Sequence, residues 1–211
     1  MTRPDGSKVA SMLATHLQKP TKAHIEAAKH AIQYLVGTAR RGIQFDGSMK
    51  EIAAFATDAS YGDNPNRRSS EGYLMKLFGG PIDWRASRQR TVTTSTTEAE
   101  LLAISEGGKQ LIWWRRLFNE LKLHLHHDLE ILCDNAQTVN LLNNNEPTLT
   151  TKLRHVDIHH HWLREKCQNG DIKVRWIPTD QQPADGLTKP LGAAKHAAFV
   201  QHLGLIDVKT T

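Results

Sequence analysis

Two short apolar runs, each stopping at an aspartate, constrain this 211-residue chain more than any other feature. Ala53-Ala54-Phe55-Ala56-Thr57 ends at Asp58, and the stretch Leu129–Cys133 ends at Asp134. Runs of this length, bounded by polar residues, read as buried strands that deliver a carboxylate at their ends. In a layered α/β protein, ligands gather at the carboxyl ends of the strands, so Asp58 and Asp134 are expected to share one crevice.

The surrounding pattern completes the sheet. Tyr73–Phe78 and Pro81–Trp84 flank Gly79-Gly80, a two-residue hairpin signal. Three strands therefore precede the first long helix, expected from Ser95 to Leu121, with Leu101, Ile104, Leu111, Phe118 and Leu121 on its buried side. Gly107-Gly108 within it lowers helix propensity and permits close packing. Of Trp113 and Trp114, at least one is expected in the core. A helix through Val139–Leu142, another over 153–168, a strand at Lys173–Ile177 and a final helix from Pro183 through Phe199 follow. The fold class is α/β: a five-stranded mixed sheet, three antiparallel strands then two parallel, flanked by helices.

This unit is expected to occupy residues 51–211, preceded at 1–50 by a basic segment with one amphipathic helix. Thr21 caps that helix, Ile25, Ile32, Leu35 and Val36 line one face, and Gly37 ends it. Net charge is +5, and the first 50 residues hold eight Lys/Arg against three acids, while the remainder balances at nineteen each. The surplus suits phosphate contact, or simply a solvated helix face. No apolar run approaches the roughly 18 residues that a membrane helix needs, and no signal-peptide stretch opens the chain. Cys133 and Cys167 are too few and too far apart for a disulfide framework or a thiolate zinc site, so a reducing compartment, cytoplasm or nucleus, is expected. His155 and His159 sit one helical turn apart and could share a ligand face, but packing and polar surface explain the histidines better.

Two further acids stand at element starts: Glu98, in Ser95-Thr96-Thr97-Glu98, and Asp185, in Pro183-Ala184-Asp185. Each of the four has a structural explanation: Glu98 completes a capping box, Asp134 caps the next helix, Asp185 complements a helix dipole and Asp58 stabilises its turn. Together they suggest more. Clustered carboxylates repel and need cations, and an all-oxygen ligand set selects Mg²⁺ or Mn²⁺. Two such ions about 4 Å apart are a known device for phosphodiester cleavage.

Thr57-Asp58-Ala59-Ser60, Asp63–Tyr73, Gly79–Trp84, Ser95–Glu100, Cys133-Asp134-Asn135, Lys152–Ile158 and Pro183–Leu191, in that order, resemble the ribonuclease H domain of copia-like retrotransposon Pol polyproteins. The likeness covers nearly the whole chain, and residues 19–38 resemble the segment joining that domain to the reverse transcriptase. It implies a ribonuclease H-like fold and an endoribonuclease that cuts the RNA strand of RNA–DNA hybrids, leaving 5′-phosphates. It also implies two Mg²⁺ ions (Mn²⁺ substituting) on Asp58, Glu98, Asp134 and Asp185, and a reverse transcriptase partner in the same polyprotein. The implied setting is a cytoplasmic virus-like particle, with the nucleus as the alternative.

Glu100, two residues from Glu98 and on another helix face, is expected to lie outside the site. Arg85, Arg88 and Arg90, read as a loop between strand and helix, with Ser60 and Asn135, are the candidates for binding substrate, since arginine forks suit phosphates. The segment Ile177–Gln182 lacks the histidine that many ribonucleases H carry before the last helix, which points to slow product release. The motif acid Asp185 is followed by Gly186. An integrase or transposase would place its essential glutamate after the second aspartate, whereas here Glu98 precedes Asp134. A hybrid-binding module without turnover is the non-enzymatic rival.

Overall fold

The computed structural model describes residues 2–47, 52–123, 125, 128–143 and 154–208. A 3₁₀ turn, Pro4–Gly6, leads into α1 (Ser7–Ala14), α2 (Lys22–Gly37) and β1 (Arg41–Ile43). The sheet strands β2 (Ala53–Ser60), β3 (Ser70–Leu77) and β4 (Gly80–Arg88) follow, then α3 (Thr96–Glu120), β5 (Ile131–Cys133), α4 (Ala136–Asn143), α5 (Arg154–Gln168) and β6 (Val174–Trp176). A 3₁₀ turn at Thr179–Gln181, α6 (Asp185–Thr188), α7 (Ala193–Leu203) and β7 (Leu205–Asp207) complete the chain. Among the described residues no helix is long and apolar enough to cross a membrane.

The sheet order is β4-β3-β2-β5-β6, antiparallel from β4 to β2 and parallel from β2 to β6, the five-stranded mixed sheet expected from the sequence. Side chains alternate along β2. Phe55 and Thr57 face α3, where Met75, Leu101, Ile104, Leu111, Ile131 and Leu163 build the larger core. Ala56 and Asp58 face the other side, where Leu74, Leu187, Phe199 and Leu203 build the second. Gly107 is what lets α3 approach: a Cβ there would stand 2.4 Å from Thr57 Cγ2.

Several expectations shift. The hairpin turn falls on Phe78 and Gly79, both at positive φ, one residue earlier than the glycine pair suggests. Gly80 instead opens β4 beside Ile43 and Phe45, whose atoms would meet a Cβ at 2.7 and 2.8 Å. β4 runs on to Arg88, so Arg85 and Arg88 belong to an edge strand rather than a loop. The final helix is two, broken where Pro190 follows Lys189. Leu121 is exposed, not buried, whereas Leu101, Ile104, Leu111 and Phe118 are core. Trp114 packs against the core and donates to Asp83 Oδ2 at 3.0 Å, while Trp113 is half exposed.

α2 keeps its Thr21 cap but buries nothing: Ile25, Ile32, Leu35 and Val36 are all exposed. The rest of the amino-terminal segment is tied down. β1 pairs with β7 in a separate two-stranded ribbon, Trp84 Nε1 donates to Ser7 Oγ at 2.9 Å, and buried Lys8 donates to Ser70 Oγ at 2.6 Å and Asp63 Oδ2 at 3.2 Å. The His155 side chain, and with it the His155–His159 pairing, lies outside the described residues, as do Lys152 and Leu153 of the Lys152–Ile158 stretch. His159 Nδ1 meets Ser105 Oγ at 2.7 Å.

Candidate active site

Parallel pairing of β2 with β5 sets Asp58 and Asp134 at the same end of the sheet. Carboxylate oxygens of Asp58, Asp134 and Glu100 all lie within 4.8 Å of one another. Glu100, buried on the second turn of α3, accepts the Ala59 backbone N–H at 3.3 Å, which fastens the helix start to the end of β2. Cys133 adds a weak S–H contact to Glu100 at 3.9 Å.

Glu98 therefore does not join this cluster as expected. Its Oε2 accepts from the Thr94 backbone N–H at 2.6 Å and the Thr94 hydroxyl at 2.8 Å, while Ser95 Oγ accepts the Glu98 N–H at 3.1 Å. Two residues along a helix turn a side chain by about 200°, so only one of Glu98 and Glu100 can face the sheet end. The capping-box spacing was the signal: it assigns Glu98 to the helix terminus and frees Glu100 for the site.

Asp185 opens α6 on the Asp58 side of the sheet and is joined to it through a lysine. Lys189 Nζ lies 2.5 Å from Asp185 Oδ1 and 3.6 Å from Asp58 Oδ2, and the Thr188 hydroxyl donates to the same Asp58 oxygen. Gln182 positions the segment, donating to Thr57 O at 3.0 Å and accepting from Ala184 N at 3.1 Å. Gly186 serves packing: a Cβ there would sit 2.4 Å from the Phe199 ring. Gly72, beside Asp58 on β3, does the same for Leu187 and Thr188.

Burial raises the Asp58 carboxyl to about 6 against the opposing pull of Lys189 and Thr188, with Asp134 and Asp185 adding repulsion. Glu100 is driven well above the usual range by burial and by the charges of Asp58 and Asp134. Asp58 Oδ1 is buried with no hydrogen-bond partner among the described residues, a costly state for an anionic oxygen. A buried orphan oxygen amid converging hard oxygen donors fits a divalent cation of the Mg²⁺ or Mn²⁺ type.

The other candidates divide. Ser60, Ser70 and Arg88 share one rung of the sheet, on the Asp58 face and two residues nearer the strand end. Arg90 is exposed in the bend beyond β4. Arg85 lies on the opposite face, 3.8 Å from Glu106 of α3, and bonds Ser87 Oγ, so it does not face the acids. Asn135 follows Asp134, and its Oδ1 accepts the Thr138 N–H at 3.0 Å, capping α4 in the role expected of Asp134. Lys189, Thr188 and Lys8 were not anticipated at all, since only the folded chain brings them to this corner.

No protein-family profile matches the chain. The Pol polyprotein of transposon TNT 1-94 from Nicotiana tabacum is 38% identical over 204 residues, covering 97% of this chain and 15% of that protein. That of transposon RE2 from Arabidopsis thaliana is 33% identical over 208 residues, covering 98% and 14%. The chain thus spans about one seventh of the length of these curated relatives. Among solved structures, LC11-RNase H1, isolated from compost, is 15% identical over 65% of this chain and 93% of that one, with a TM-score of 0.49.

Proposed function

The chain belongs to the retrovirus-related Pol polyproteins of copia-type transposons, and from that membership we propose that it is a ribonuclease H that hydrolyses the RNA strand of RNA–DNA hybrids. One observation carries the reading: the buried, unpartnered Asp58 Oδ1 beside Glu100 and Asp134. Asp58, Glu100 and Asp134, with Asp185 at the edge, would hold two Mg²⁺ ions, and Mn²⁺ would substitute. When bound, such ions supply a nucleophilic water at neutral pH and neutralise charge developing on a phosphodiester, leaving 5′-phosphate and 3′-hydroxyl ends.

The chain's own residues supply position. Glu100 and the Ala59 N–H hold the end of β2 against α3, so the Asp58 carboxylate is set before any ligand arrives. Gln182 and Thr188 anchor α6 to β2 and fix the approach of Asp185. Arg88, on the Asp58 face, is suited to the phosphate backbone, with Arg90 beyond it, while discrimination of RNA from DNA would require contacts to 2′-hydroxyls. With Glu100 in place of Glu98 the glutamate still precedes Asp134, so the order that disfavours an integrase is unchanged. In this reading residues 1–50 are the connection from a reverse transcriptase of the same polyprotein, which acts in a cytoplasmic particle.

The test is a labelled RNA–DNA hybrid incubated with Mg²⁺ and the chain, beside Asp58→Asn. Cleaved RNA is expected from the parent protein and intact RNA from the variant. RNA left intact by the parent, under conditions where it binds hybrid, would leave a binding module and sink the enzyme.

A further inference from the structure

Four carboxylates meet at this corner, and the charge that answers them is tethered. Lys189 Nζ bridges Asp185 Oδ1 and Asp58 Oδ2, at 2.5 and 3.6 Å. Its backbone is extended and precedes Pro190, which disfavours helical geometry at that residue. The lysine side chain is about one third exposed, against 1% for Asp58, and its four-carbon stem lets the ammonium swing outward without moving α6. The ammonium offsets part of the negative charge yet leaves Asp58 Oδ1 without a partner, so the site is partly compensated but not satisfied.

From this geometry we propose that Lys189 is a resident counter-ion, holding Asp58 and Asp185 together until divalent ions arrive and competing with them for Asp58. The inference rests on the metal reading above and goes beyond it: ion binding must displace a positive charge already in contact with the shared carboxylate. Lys189 is on this account a positioning residue. Its presence stabilises the ion-free protein and weakens ion affinity, two effects of one contact with opposite signs.

Calorimetric titration of Mn²⁺ into the ion-free 211-residue chain, Lys189→Gln and Lys189→Arg tests this, with Asp58→Asn assigning the heat to the site. Lys189→Gln is expected to bind Mn²⁺ about fivefold tighter or more. It should also melt lower in chelator and gain more from Mn²⁺ than the parent, while Lys189→Arg stays near the parent in both. Equal or weaker Mn²⁺ binding by folded Lys189→Gln, beside a parent that binds, overturns the counter-ion role and leaves the metal reading intact. Absence of binding by both overturns the two together. Binding by Lys189→Gln alone supports the competition in its strongest form. If Lys189→Gln does not fold without ions, acylation of Lys189 in the parent, mapped by mass spectrometry, decides: labelling must rise on adding Mn²⁺, and unchanged labelling overturns the proposal.

Discussion

Glu98 and Glu100 are separated by one alanine and do opposite work. Glu98 turns back to Thr94 and closes the start of α3, whereas Glu100 faces Asp58 and Asp134. Glu100→Gln is therefore expected to cut hybrid cleavage about a hundredfold or more, since even residues one shell beyond a metal cost about ten- to a hundredfold. Glu98→Ala should retain cleavage below its melting temperature but lose about 1 kcal/mol of stability, the usual scale of a lost cap. Cleavage assays and urea melts on the two variants check the pair; equal loss of activity would return Glu98 to the site. Asp134 and Asp185 were legible because each borders an element, and Asp58 because it closes an apolar run, although β2 continues past it to Ser60. Glu100 was misread although the capping-box spacing already claimed Glu98 for the helix terminus, because which face of α3 meets the sheet end is a matter of helical phase that the docking of α3 makes plain.

At the scale of elements, contact distance between α3 and β2 sets the height of Glu100 over Asp58. Gly107→Ala would improve helix propensity by about 1 kcal/mol. It would also place a Cβ 2.4 Å from the buried, β-branched Thr57, and overpacking of that kind costs about 1–3 kcal/mol or more. The expected net outcome is a lower denaturation midpoint, with cleavage reduced even in the folded fraction. A midpoint at or above the parent's would show that the helix can step back freely.

The amino-terminal turn makes a second, titratable joint. Burial alone would raise the Asp5 carboxyl, but hydrogen bonds from Arg3 and Tyr34 outweigh it and hold Asp5 below its ordinary value. A depressed carboxylate contributes stability in full above its unfolded pKa, about 4, and loses it as pH falls through the folded value. Melting temperature should therefore drop below about pH 4 more steeply in the parent than in Asp5→Asn; parallel curves would remove Asp5 from the account. The strands at Ala53 and Ile131 were legible from apolar runs. The Arg85–Arg88 end of β4 was not, because an edge strand is held by backbone pairing and tolerates a polar sequence.

Across the whole molecule, the first 47 residues are not simply appended. They give Lys8 to Asp63 and Ser70, Ser7 to Trp84 and β1 to β7, while the apolar row of α2 stays exposed. A chain cut to residues 51–211 should melt lower than the full chain, and amide exchange should quicken over Asp63–Ser70 and β7. An unchanged melt and exchange pattern would mean that the carboxyl-terminal unit carries its stability alone. β1 and β7 were illegible in the sequence, being three-residue strands paired from opposite ends of the chain.

That pairing also has a mechanical sense. Arg41 lies opposite Asp207 and Ile43 opposite Leu205, so the strands leave the ribbon from the same end, where Val208 N–H still reaches Arg40 O. Tension applied across Arg40 and Val208 would load these bonds singly, rung after rung, rather than in parallel. The ribbon would open as a zipper at low force, while the five-stranded sheet and its acids stayed whole.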